Sequence, residues 1–139
     1  MLKSSPTSQA WGVTILRVVI AIVFIAHASQ KLFSDGIHGV AKAFAQLGVP
    51  LPTVSAVAIS GLEFVGGILL LIGLLARPVA ALLACDMLGA VYFVAHAHRG
   101  FFSKGGGYEY PLTLLAASLA LALAGPGALA IDNLVRSRR

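Results

Sequence analysis

Charge is what this chain has least of: 11% of its 139 residues are Asp, Glu, Lys or Arg and 58% are hydrophobic, against about 25% charged in an ordinary soluble domain. So few charges cannot cover a water-facing surface, and with a mean hydropathy of +0.92 a water-soluble globule is excluded. The solvent implied is a lipid bilayer. Cysteine is nearly absent. The single Cys85 can close no disulfide within the chain, and it excludes a CxxC shuttle or a cysteine-held iron-sulfur cluster. Acidic residues are scarce too, five against ten Lys and Arg, for a net charge of +5. Such a balance can signal nucleic acid, but here the basic residues sit at the ends of apolar runs, where membrane topology puts them. Nucleic acid is set aside as a partner.

Four apolar runs, residues 11–33, 54–75, 79–97 and 110–131, are each close to the roughly 20 residues that a membrane helix needs. They predict an all-α transmembrane four-helix bundle with antiparallel neighbours, a single domain over 1–139, and no room for a soluble catalytic appendage. The longest connection, 34–53, holds Asp35-Gly36 and Gly48-Val49-Pro50-Leu51-Pro52, with a helix-like patch at 39–47. Arg77-Pro78 leaves almost nothing between runs two and three, so those helices meet in a tight turn with Pro78 at a helix start. Gly105-Gly106-Gly107 forbids regular structure between runs three and four. There is no strand pattern and no internal repeat.

Lys3, an apolar stretch and Ala26-His27-Ala28 imitate a cleaved signal peptide, but Arg17 inside the stretch argues against one, and helix one is retained. Four spans put both termini on one side. That side would carry Lys3, Arg77, Arg136, Arg138 and Arg139, against Lys31, Lys42, Arg99 and Lys104 on the other. The dense C-terminal tail favours the cytoplasm for both termini, in the inner membrane of a bacterial-type cell.

The informative residues are ionisable ones inside the spans, since a charge in hydrocarbon costs about 2.5 to 3.5 kcal/mol and is expected to be paired and to face the bundle interior. Arg17, His27 and Lys31 fall within about 80° of arc on helix one. Glu63 lies on helix two, Asp86 and His96 on helix three, and Glu109 opens helix four. At about 1.5 Å per residue, Arg17, Asp86 and Glu63 lie roughly 8, 12 and 18 Å inside the cytoplasmic boundary. This predicts a buried tier in which Arg17 reaches toward Glu63 or Asp86, and an outer tier of His27, Lys31, His96, His98 and Glu109. These seven, Arg17, His27, Lys31, Glu63, Asp86, His96 and Glu109, are the ligand or proton-relay candidates. No metal site is expected, because His96 and His98 point to opposite sides of a helix and no ligand spacing completes them. Each has a plainer reading: an ionic lock between helices, a snorkelling lysine, or an acid at a helix start.

An ordered set of motifs resembles the DoxX family of small four-helix membrane proteins. The set comprises Arg17 with Phe24-Ile25-Ala26-His27-Ala28-Ser29-Gln30-Lys31-Leu32-Phe33, Leu47-Gly48-Val49-Pro50-Leu51-Pro52, Glu63 with Gly66-Gly67 and Gly73, Arg77, Gly100-Phe101-Phe102, Gly106-Gly107-Tyr108-Glu109-Tyr110, and Gly125-Pro126-Gly127 with Asp132. Ala28 and Ala130 stand where the family usually has glycine and serine. The resemblance implies the four-helix fold and an association with redox systems, applied to Arg17, His27, Lys31, Glu63 and Glu109; Asp86 and His96 rest on depth alone. The expected function is a non-catalytic membrane subunit that binds a quinone or relays protons for a membrane-associated oxidoreductase partner. The alternatives are a small-solute or anion binding and transport module, for which four helices would need a homo-oligomer, and a structural membrane anchor.

Overall fold

The computed structural model describes residues 6–138; Lys3 and Arg139 of the charge count lie outside the described residues. All of its regular structure is helical. Helix α1, Pro6–Ser29, runs into a π-helical turn, Gln30–Asp35, and then into α2, Gly36–Gln46. Helix α3 spans Pro52–Ile72, α4 Ala76–His96, α5 Glu109–Ala124 and α6 Ile131–Arg136. Three helical runs, beginning at Pro6, Pro52 and Ala76, are long and apolar enough to cross a membrane; α5 is a shorter apolar helix. The helix-like patch expected within the first loop is α2.

Side-chain spacing explains which faces meet. The buried residues Thr14, Arg17, Ala21, Phe24 and Ala28 of α1 and Ala56, Ser60, Glu63, Gly67 and Leu70 of α3 both alternate by three and four, the seam of two helices packed lengthwise. Small residues on that seam bring the backbones close. A Cβ on Gly67 would stand 2.8 Å from Ile25 Cγ1 and 3.3 Å from the Ala21 carbonyl, so this crossing tolerates glycine and little else. Helix α4 packs chiefly on α5, and α3 with α1; α1 also touches α5, and α3 touches α4. The core lies where they converge, around Phe24, Leu70, Leu83 and Leu121. Outward-facing side chains such as Ile15, Leu82, Leu88 and Leu123 are apolar and exposed, as lipid contact requires.

One end of the bundle is tied by polar contacts to backbone. Helix α5 stops at Ala124, seven residues short of the run read from sequence, because Gly125-Pro126-Gly127 breaks it; Gly125 and Gly127 take φ of 92° and 82°. The irregular backbone that follows has carbonyls that nothing in lipid would satisfy. Arg17 takes two of them, donating to the Pro126 and Leu129 oxygens, and Asn133 takes the Gly127 and Ala128 oxygens at 2.8 and 2.9 Å. Thr14 Oγ1 accepts the Ala128 N–H at 2.7 Å, a contact possible only because residue 127 has no Cβ. Arg77 caps the end of α5, donating to the Leu123 carbonyl at 2.8 Å, the favourable place for a cation at a helix C-terminus.

Asp132 closes the α3–α4 turn from far along the chain. Its two carboxylate oxygens accept the Leu75 and Ala76 N–H groups at 2.8 and 2.9 Å, at the start of α4, and its own N–H donates to the Gly73 carbonyl at 3.0 Å. An acid there satisfies orphan donors and complements the helix dipole. Asp132→Ala is expected to cost about 1–2 kcal/mol, read as a lower unfolding temperature by circular dichroism in nanodiscs, with Asp132→Asn retaining part of the loss.

Candidate functional site

At the opposite end of α1 the seam continues. Lys31 is the next position of the three-four alternation after Ala28, and it falls in the π-helical turn, a feature that recurs at functional sites because it re-aims side chains without ending the helix. Its ammonium lies 2.8 and 2.7 Å from Oε1 and Oε2 of Glu63. The Glu63 side chain is 3% exposed and that of Lys31 24%, so the pair is enclosed mainly from the acid's side. Asp86, on α4, stands against the same Glu63 carboxylate and within electrostatic range of Lys31. Its Oδ2 is buried and receives no N–H or hydroxyl from the described residues, so the group that the Asp86 carboxyl meets is the Glu63 carboxylate.

Three helical segments thus bring together one ammonium and two carboxyl groups. In a low-dielectric setting the second carboxyl needs something further to balance it: a proton, a cation or a donor on a ligand. Space for a ligand adjoins it. A cleft of about 340 Å³ has Lys31, Glu63 and Asp86 in its lining and otherwise chiefly apolar walls, among them Phe44 of α2, Ile59 of α3, and Met87 and Phe93 of α4. An apolar cavity with a few converging polar groups is the form that small-molecule sites take. Tyr110 on α5 lies within reach of the Glu63 charge, and its ring meets His27 edge-on with centroids 5.0 Å apart. Nothing in the local sequence of Tyr110 announces a neighbour on α3.

The seven sequence candidates separate. Lys31, Glu63 and Asp86 come together, and His27 joins their edge through Tyr110. Arg17 does not meet Glu63 or Asp86: it is spent on the Pro126 and Leu129 carbonyls, and the cation expected in the outer tier, Lys31, takes its place. His96 is exposed and stacks on Tyr92 with centroids 5.9 Å apart. Glu109 accepts the Ser103 N–H at 2.7 Å, and its own N–H donates to Phe101, so it pins the loop before α5. Among the described residues no group of three or more His, Cys, Asp or Glu could hold a metal ion.

An all-α membrane protein with an ionic cluster between its spans is the class these observations define. The chain belongs to the DoxX family, whose model matches residues 12–97, a stretch that holds Lys31, Glu63, Asp86 and the whole cleft lining. It is 35% identical to the protein named "Putative oxidoreductase CatD" of Bacillus subtilis, over 89% of this chain and 87% of that one. It is also similar to two Escherichia coli proteins, inner membrane protein YqjF at 32% identity over 91% of this chain and 94% of that one, and inner membrane protein YphA at 28% over 86% of each. No solved structure matches it. With its apolar helices, these relatives make it a multi-pass inner-membrane protein.

Proposed function

We propose that this protein is a membrane subunit of a redox system: the Lys31, Glu63 and Asp86 cluster holds the head of a quinone in the apolar cleft, or passes protons, for a partner oxidoreductase. The observation that carries this reading is the Asp86 carboxyl, its Oδ2 buried, set against the Glu63 carboxylate, beside the ion pair and at a cavity otherwise walled chiefly by aliphatic and aromatic side chains. Those residues fit the group. A quinone's ring and tail suit the apolar walls, and its oxygens accept hydrogen bonds from an ammonium or a protonated carboxyl. When bound it would supply the electron-carrying chemistry that these side chains lack. The chain's own part is to hold the head with Lys31, to keep a proton available between Glu63 and Asp86, and to exclude water with Phe44 and Phe93. A relative named as an oxidoreductase supports the same direction.

The reading includes four spans with both termini in the cytoplasm. Helix α5, at 16 residues, covers about 24 Å, and the segment held by Arg17 and Asn133 completes the crossing with its carbonyls satisfied. Since Lys31 is spent on Glu63, it leaves the outer count, and Lys42, Arg99 and Lys104 face the five basic residues of the other side.

Native mass spectrometry of protein extracted gently from its own membrane tests the proposal. The expected result is a retained quinone or a co-purifying redox enzyme, with quinone retention about tenfold lower in Glu63→Gln, which frees the Lys31 ammonium from the carboxylate that aims it and so loses its charge-assisted hydrogen bond to the head. Unchanged retention and unchanged partner-dependent reductase rate in Glu63→Gln and His27→Ala would sink it. The competing transport reading loses one of its two anion-facing charges, since Arg17 is committed to backbone; liposome flux that responds to pH or solute would favour it instead.

A further inference from the structure

A second cavity lies at the other end of the bundle and takes no part in the cluster chemistry. It measures about 710 Å³ between the beginning of α1, the α3–α4 turn and α6. Charge there is unbalanced. Arg77 and Arg136 line it, and its one carboxylate, Asp132, has both oxygens committed to the Leu75 and Ala76 N–H groups. Arg17 stands behind, within electrostatic range of Asp132, so three guanidinium groups surround one acid. Arg77 uses its terminal nitrogens on the last carbonyls of α5, while its Nε has no partner among the described residues; Arg136 has none at all there. The remaining walls mix the polar Gln9 and Asn133 with apolar side chains. Leu75 is 55% exposed and Val135 49%, and both line the cavity with Val13 and Pro78.

We propose that this cavity binds a phosphate monoanion between Arg77 and Arg136, as carried by the headgroup of an anionic phospholipid or by a free phosphate. The planar fork of Arg136 can give phosphate two parallel hydrogen bonds, while Arg77, its terminal nitrogens committed to α5 carbonyls, adds its Nε–H and its charge. The apolar rim beside the two arginines matches the junction between a headgroup and its glycerol and acyl chains. The position agrees as well: the cavity sits where the apolar runs of α1 and α4 begin, the level at which headgroups lie. A basic residue near an anionic membrane surface contributes about 1 kcal/mol to lipid attraction, so removing one should lower occupancy about fivefold.

The experiment is native mass spectrometry of the full chain released from liposomes of equal phosphatidylglycerol and phosphatidylcholine, with and without excess inorganic phosphate. The expected result is preferential retention of phosphatidylglycerol by the wild-type chain, about fivefold lower in Arg136→Gln, lower again in Arg136→Glu, and unchanged in Arg99→Gln, which removes a cation from the α4–α5 loop. Arg136 is exposed on a short helix and is not among the buried core residues, so these variants are expected to keep the fold, which circular dichroism would verify. Retention that inorganic phosphate does not compete assigns the lipid headgroup; competition by phosphate, with the same dependence on Arg136, assigns a soluble anion. Equal retention of the two lipids by wild type, or retention indifferent to the sign of residue 136, would overturn the proposal.

Discussion

Lys31→Met on its own is expected to destabilise the protein by about 3–5 kcal/mol, the usual cost of removing one partner from a buried ion pair. The reason is the environment of the survivor. Glu63 is 3% exposed, it already faces Asp86, and without the ammonium two carboxyl groups confront each other inside an apolar bundle. Adding Glu63→Gln to Lys31→Met removes the stranded charge and is expected to recover most of that loss, giving a large coupling energy in a double-mutant cycle. Unfolding followed by circular dichroism in nanodiscs measures all three variants. Strictly additive penalties would mean that the two side chains do not depend on each other. The recovered double variant also separates fold from function: if it folds and still supports the cell, the pair is an ionic lock, and if it folds without function, the cluster has chemistry to perform. The pair to exchange is Lys31 with Glu63, since Arg17 has no contact with Glu63.

Arg17→Met is expected to be as damaging through a different route. It removes no ion pair from a side chain; it strips the part-buried Pro126 and Leu129 carbonyls of the donor that both share. Two part-buried acceptors left without a donor, at up to about 1–3 kcal/mol each, put the loss at up to about 2–6 kcal/mol, a large share of a small domain's stability. Arg17→Lys should fall between, because one compact ammonium cannot span two carbonyls as a guanidinium does. The yield of monodisperse protein and its unfolding temperature report the order wild type, Lys, Met. A change below about 0.5 kcal/mol for Arg17→Met, the range of surface substitutions, would show that the segment after α5 holds itself without Arg17.

The two variants together probe why the candidate site could be read only in part. Depth along a helix follows from residue counting, so the polar positions on α1, α3 and α4 were visible, and the three-four alternation that carries Arg17 and Lys31 is present in the letters. Neighbourhood across helices does not follow from counting. Depth alone paired Arg17 with an acid, yet its partners are main-chain oxygens exposed by a helix break, and a carbonyl has no sequence signature. Lys31, read as an interfacial cation, is turned onto Glu63 by a π-helical turn whose sequence, Gln30–Asp35, looks like the tail of an ordinary helix. Glu109 and His96, sound candidates by position, are held apart because one is bonded to its own loop and the other stacks on Tyr92.

Composition and periodicity by themselves determined the solvent, the helical class and the approximate ends of the apolar runs, because those depend on how many apolar side chains lie in line and on where glycine and proline interrupt them. They determined too that any intramembrane charge must find a partner. Which partner it finds was decided only by the tertiary structure. Close packing at Ala21 and Gly67 sets α1 against α3 and so delivers Lys31 to Glu63; the pairing of α4 with α5 leaves the cleft beside Asp86; and the glycine break after α5 turns carbonyls toward Arg17. Each of these depends on contact between distant segments, where the energy comes from satisfying particular polar groups out of reach of water.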